Sequence, residues 1–274
     1  MKLRSLLLVA AIGLMLLTSC SEYQQVLKNN DLTEMYELAN RYYQEEEFVK
    51  AKRLYELIAP KYAGRPQGER LSFFFADAQF KTKAYYLSSY QFERFIKAYP
   101  NSDKREEASF LEAESYYHMS PRFSLDQTDT DKALEKLQNF INNYPNSEYF
   151  NRANERVQEL KIKKERKAFE IAKQYDNLGE FNLPVLFSAI KSLNNFIIEY
   201  PGSIFREEAL FIRIKSATVL AENSTTNRMM ERYEEALDYY KDFRRYYERS
   251  KFDEEVEYYY SKIQSGLEFV NSLN

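Results

Sequence analysis

One spacing of residues recurs five times along this chain, and it leaves little choice of fold. Tyr62, Tyr99, Tyr144, Tyr200 and Tyr247 stand 37, 45, 56 and 47 residues apart, and the same side-chain types keep fixed offsets from them. Four positions before each come Ile58, Phe95, Phe140, Phe196 and Phe243, and seven before come Tyr55, Phe92, Leu137, Leu193 and Tyr240. Eleven before stand Ala51, Ser88, Ala133, Ala189 and Ala236, and nine after stand Leu71, Ala108, Ala153, Ala209 and Val256. Apolar spacings of three, four and seven mark one helix face. The small residue opening each stripe lets a neighbouring helix approach closely. Repeats of this length stack into arrays whose surfaces bind other molecules.

The ends of the helices are written in the same register. Tyr99, Tyr144 and Tyr200 precede Pro100, Pro145 and Pro201. Proline disfavours helix in the residue before it and cannot donate to the helical ladder, so helices should stop there. Ser102, Ser147, Ser203 and Ser250 follow, and serine suits the cap of a next helix. Acidic residues then come early, where the positive helix end favours them. No useful run alternates with period two. The pattern predicts eleven helices near 31–45, 47–62, 68–82, 84–99, 103–118, 130–144, 148–176, 183–200, 204–221, 228–248 and 252–271. The fold class is therefore all-α: five helical hairpins plus a C-terminal capping helix, forming a superhelix. The uneven periods locate insertions at Met119–Asp129, Tyr175–Leu183 and Ala221–Asn227.

The first residues read differently. Lys2 and Arg4 precede an apolar run from Leu6 to Leu17 that is too short to cross a bilayer comfortably and closes on Thr18-Ser19-Cys20. This resembles a bacterial lipoprotein signal over residues 1–19, with Cys20, the one cysteine of the chain, as the lipidated first mature residue. Residues 20–30 would be a lipidated tether, reaching roughly 30 Å if extended.

Several chemistries are excluded. A net charge of −3 gives no electrostatic case for nucleic acid. His118 is the single histidine, which rules out a histidine-based triad and a multi-histidine metal site. The carboxylate runs at Glu45-Glu46-Glu47, Glu106-Glu107 and Glu254-Glu255 are neighbours in sequence, so they point different ways from a helix. There is no Gly-rich phosphate loop. The expectation is a non-enzyme with no cofactor beyond the lipid on Cys20.

Leu38, Ala39, Tyr42, Ala51 and Tyr55 in the first repeat resemble the tetratricopeptide pattern, as do Ala76, Phe92 and Pro100 in the second and Ala113, Tyr116, Ala133 and Pro145 in the third. With the lipoprotein signal, the repeat number and phrases such as Phe140-Ile141-Asn142-Asn143-Tyr144-Pro145-Asn146-Ser147, nearly the whole chain resembles the BamD family. Ser124-Leu125-Asp126-Gln127-Thr128 followed by Lys132-Ala133 looks like its Bacteroidetes branch. The resemblance implies a scaffold of the outer-membrane barrel assembly machinery, lipid-anchored and facing the periplasm. Its partners would be BamA, bound through the C-terminal repeats (145–274), other subunits of that machinery, and unfolded barrel proteins received in the N-terminal repeats (31–144). Another periplasmic tetratricopeptide lipoprotein, coordinating cell-wall or envelope complexes, is the alternative.

In tetratricopeptide folds the first helix of each hairpin lines a groove. Carried onto this chain, that geometry selects Thr33, Tyr36, Asn40 and Tyr43, then Arg70, Phe73, Asp77 and Phe80, then Glu107, Phe110, Glu114 and Tyr117. Such a surface would grip an extended peptide ending in an aromatic residue, with Arg70 pairing a carboxylate. The bland alternative is burial against neighbouring helices. A second candidate is the basic run Lys161, Lys163, Lys164, Arg166 and Lys167 on the long predicted helix at 148–176, expected to project and dock an acidic partner or lipid headgroups. Here the bland alternative is a solvated face balanced by Glu159, Glu165 and Glu170.

Overall fold

The computed structural model describes residues 22–273. Cys20 and the signal segment lie outside them. Among the described residues there are helices and turns but no strand. A short helix α1 (22–29) is followed by α2 (Leu32–Gln44), α3 (Phe48–Tyr62), α4 (Gly68–Lys81), α5 (Tyr85–Ala98), α6 (Arg105–Met119) and α7 (Thr128–Asn143). Then come α8 (Phe150–Gly179), α9 (Val185–Glu199), α10 (Arg206–Glu222), α11 (Thr226–Tyr246) and α12 (Asp253–Ser272). Every helix expected from the repeat is present, and α2 packs on α3, α4 on α5, α6 on α7 and α10 on α11 as helical hairpins of tetratricopeptide type.

The tether expectation needs correcting. Residues 22–29 form α1, and its Tyr23, Val26 and Leu27 pack on the core of the first hairpin. Tyr23 meets Tyr42 at 6.0 Å, and Arg41 reaches Glu22 at 2.5 Å. Three apolar side chains at spacings of three and one put a single helical face on that core, so the extended reach estimated for residues 20–30 does not apply.

The turn chemistry is also two residues out. Ser102, Ser147 and Ser203 donate their backbone N–H to Tyr99, Tyr144 and Tyr200, closing a turn over the proline. Each serine Oγ then accepts the N–H two residues on, from Lys104, Tyr149 and Phe205 at 3.1, 3.1 and 3.2 Å. Ser250 does the same for Phe252 at 3.0 Å. The serine thus begins a second turn, and the helix starts after it. Asp31 is a true N-cap, its carboxylate accepting from Thr33 and Glu34.

The helices fall into two compact units, one of residues up to Pro121 with Gln127–Val157, the other of Arg122–Asp126 with residues from Gln158 onward. The division expected at 144/145 therefore falls inside α8. Its first turns complete the third repeat, and Tyr149, just before the helix, stacks 4.5 Å from Phe110. Its later turns bury Phe169 and Ala172 against Leu186, Leu193 and Phe196 in the second unit. Within that unit Gly266 of α12 faces the Tyr233 ring so closely that a Cβ would sit 2.2 Å from it. In the first unit the stripe residues Tyr55 and Ile58 form one core with Leu54, and the stripe residues Phe92 and Phe95 another with Phe73. Each such side chain contributes about 1.5–3 kcal/mol by leaving water.

Candidate peptide-binding surface

Polar and ring contacts join several of the expected lining residues of α2, α4 and α6. Asn40 donates to the Tyr36 carbonyl at 2.9 Å and accepts from the Tyr55 hydroxyl at 3.0 Å. Tyr36 stacks on Tyr62 at 5.2 Å. The Tyr43 hydroxyl donates to Asp77 at 2.5 Å. Burial pushes the Asp77 carboxyl up, partly offset by this bond, and pushes the Tyr43 phenol far up. Tyr43 therefore stays a neutral donor. Phe80 sits edge-on to Tyr85, whose ring stacks 4.5 Å from His118. Burial lowers the His118 pKa, with the Glu114 carboxylate opposing.

Four expected residues are not surface: Asp77 and Glu114 are buried acids, and two aromatic rings are buried with them. Phe73 is 4% exposed and Phe110 1%. The helical angle that aims them toward the groove also carries them into the seam with the next helix. Arg70 is exposed, its guanidinium 5.2 Å above Phe74. Together with Pro66, Glu69, Phe74, Phe95 and Lys104, it surrounds a hollow of about 300 Å³ whose floor is Phe73. Lys104 lies 5.3 Å over the Phe73 ring and 2.7 Å from Glu107. Phe74 and Lys104 escaped the sequence reading because the first is one residue off the lining spacing and the second precedes its helix.

A second cationic cluster lies on α8. Glu114, fully buried, receives Arg152 at 2.6 Å and Arg156 at 3.3 Å. Arg156 also stacks 4.1 Å over Tyr117 and bonds its hydroxyl, while Arg152 covers Phe110. The register could have found Arg152, which stands one residue before Ala153 as Arg70 stands one before Leu71. Asp77 and Glu114 stand six after Leu71 and Ala108, the matching positions of their repeats, and both are buried acids closed by a neighbouring helix.

The basic run on α8 is partly occupied. Lys167 donates to the Leu125 carbonyl at 2.7 Å, and Arg166 lies 4.3 Å over Phe123 and 3.6 Å from Glu170. The insertion at 122–126 and the basic helix, two separate features of the sequence, therefore meet within the second unit. Lys164 is half-buried, and Lys161 is exposed. The helix does not project freely, since Phe169, Ala172 and Asp176 are buried along it. Among the described residues no group of three or more His, Cys, Asp or Glu could hold a metal ion, and no helix is long and apolar enough to cross a membrane.

Residues 28–185 match the family model described as YfiO: Outer membrane lipoprotein. A Helicobacter pylori protein named outer membrane protein assembly factor BamD is 35% identical over 72 residues, covering 26% of this chain and 33% of the relative. A Caulobacter vibrioides protein of the same name is 25% identical over 136 residues, covering 50% of this chain and 43% of the relative. The chain thus matches less than half the length of either relative. Two solved structures of putative kinesin light chain TPR-like repeats, from Podosopora anserina, align at 13% and 16% identity with TM-scores of 0.33 and 0.32. They cover 78% and 80% of this chain and 96% and 97% of their own.

Proposed function

Because the chain belongs to the YfiO family of outer membrane lipoproteins, we propose that it is a non-catalytic scaffold of the outer-membrane barrel assembly machinery, anchored by lipid on Cys20 and facing the periplasm. Its C-terminal repeats would hold BamA, and its N-terminal repeats would receive unfolded barrel proteins. The observation that carries the substrate part of this reading is the hollow beside Arg70. Its floor is aromatic, and Arg70 and Lys104 stand at its edge. A peptide ending in an aromatic residue would place its ring on Phe73 and Phe74 and its terminal carboxylate against Arg70, where a planar guanidinium pairs best. The two relatives named as outer membrane protein assembly factors support the same role.

The test uses the full chain and two barrel-derived peptides differing only at the C-terminus, one a free carboxylate and one an amide. The free acid should bind at least about tenfold tighter, the equivalent of about 1.4 kcal/mol. Arg70→Glu should abolish that preference while leaving the fold intact, because Arg70 is exposed. Equal binding of acid and amide would remove this hollow from the substrate path.

A further inference from the structure

The repeat register lets the side of α4 opposite Arg70 and Asp77 be compared with its counterparts. Thirteen residues after the tyrosines stand Phe75 on α4, Glu112 on α6 and Arg213 on α10. Eight before the next tyrosine stand Gln91, Lys136 and Tyr239. In the third repeat Glu112 and Lys136 close this face with an ion pair at 2.6 Å. In the fifth, Arg213 lies 4.1 Å over Tyr239, donates to Asn194 at 2.8 Å and reaches Asp242 at 3.4 Å. The second repeat has no such closure. A hollow of about 440 Å³ opens there between α3, α4 and α5, with Pro60, Phe75, Gln79 and Leu87 among its lining, Glu56 as its one acid on α3 and Arg94 as its one cation on α5.

The chemistry of that lining is specific. Gln79 is only 4% exposed, and its Oε1 has no hydrogen-bond partner. Buried acceptors are almost always satisfied, so one left open beside a hollow calls for a donor from outside. The terminal amide torsion is soft, so the oxygen can turn toward an arriving group. Arg94 is exposed and rests 5.8 Å over the Tyr90 ring. Leu87 and Tyr90 are each about half exposed. The volume falls in the ordinary range of ligand pockets.

We propose that this hollow docks an acidic, apolar segment of a partner protein. The segment inserts one aliphatic side chain between Pro60 and Leu87, donates a backbone N–H to Gln79 and sets a carboxylate against Arg94. This site shares only the buried Phe95 with the hollow at Arg70 and stands whether or not the assembly role holds.

The chain has no tryptophan, so a tryptophan placed in a probe peptide reports binding without background. The probe is acetyl-Trp-Ala-Leu-Asp-Ala-amide, compared with the same peptide N-methylated at Leu and with Lys replacing Asp, all against the full chain. The acidic probe should bind saturably, and both altered peptides should bind about tenfold more weakly. Gln79→Leu should weaken the acidic probe several-fold with an unchanged or raised melting temperature, because it removes an unpaired acceptor. Arg94→Glu should invert the preference between the Asp and Lys peptides. Leu87→Glu, a surface change, should abolish binding without unfolding. Failure of the acidic probe to bind, equal binding of all three peptides, or indifference to Gln79→Leu would overturn the proposal. So would self-association of the chain that Leu87→Glu disrupts, since a second copy would then be the occupant.

Discussion

The second and third repeats hold the same backbone stack, yet they finish one face in opposite ways. In the third, Glu112 and Lys136 bridge α6 to α7. In the second, Phe75 and the unpaired Gln79 leave a hollow. The phrase residues Phe92, Phe95, Leu137 and Phe140 are equally buried in both. The phrase therefore sets how helices stack, and the residues between its positions set what each face can do. Closure by charge carries its own cost, as the unpaired Gln79 acceptor does in the open hollow. Burial pushes the Glu112 carboxyl up despite its partner, and the Lys136 ammonium stays charged because Glu112 outweighs its own desolvation.

The largest effect should come from forcing one design into the other. Phe75→Glu places an unpaired charge where an aromatic ring is buried and should cost about 3–5 kcal/mol in urea unfolding. Adding Gln91→Lys, which copies the third repeat, should recover part of that loss and close the hollow to the acidic probe. The converse change, Lys136→Met, strands Glu112 in the third repeat. Lys136 is about a quarter exposed, at 26% of its side chain, so the loss should be smaller, about 2 kcal/mol at neutral pH.

That variant carries a pH signature. A carboxyl whose folded pKa is raised destabilises the fold as pH climbs through that raised value. Removing Lys136 raises it further, so the deficit should shrink as pH falls from neutral toward the ordinary carboxylate range. Urea midpoints at pH 7.5 and pH 5 give the sign; a deficit that grows on acidification would contradict it. Arg213→Met should cost less, about 1.5 kcal/mol, because the Asp242 carboxylate it leaves is 41% exposed and keeps Arg245 at 3.6 Å. Smallest of all, Ser102→Ala and Ser250→Ala should each cost about 0.5–1 kcal/mol. Each serine also donates to a glutamate of the preceding repeat, Ser102 to Glu69 and Ser250 to Glu207, so thermal melts should show similar losses in both units.

Much of the fold could be read from spacing, because proline and an apolar stripe act locally. The helix ends after Phe95, Phe140 and Phe196 are set by chemistry within a few residues. α1 was hidden since eight residues show barely two turns of pattern, too little to separate from a tether. The binding surface was legible in direction but not in depth. Spacing aims Phe73 and Phe110 around the helix, whereas their burial depends on how near the next helix comes. Lys104 and Arg156 needed three dimensions, because each gains its role from a residue on another helix. Gln79 gave no signal at all: an orphan acceptor is a property of its surroundings.

The most direct test of the assembly role is depletion of the chain in its own cells, with quantification of outer-membrane barrel proteins and, as a control, other outer-membrane lipoproteins. The account predicts that many barrel proteins fall together while the lipoproteins hold, and that re-expression restores them. Barrel levels unchanged at full depletion would contradict it.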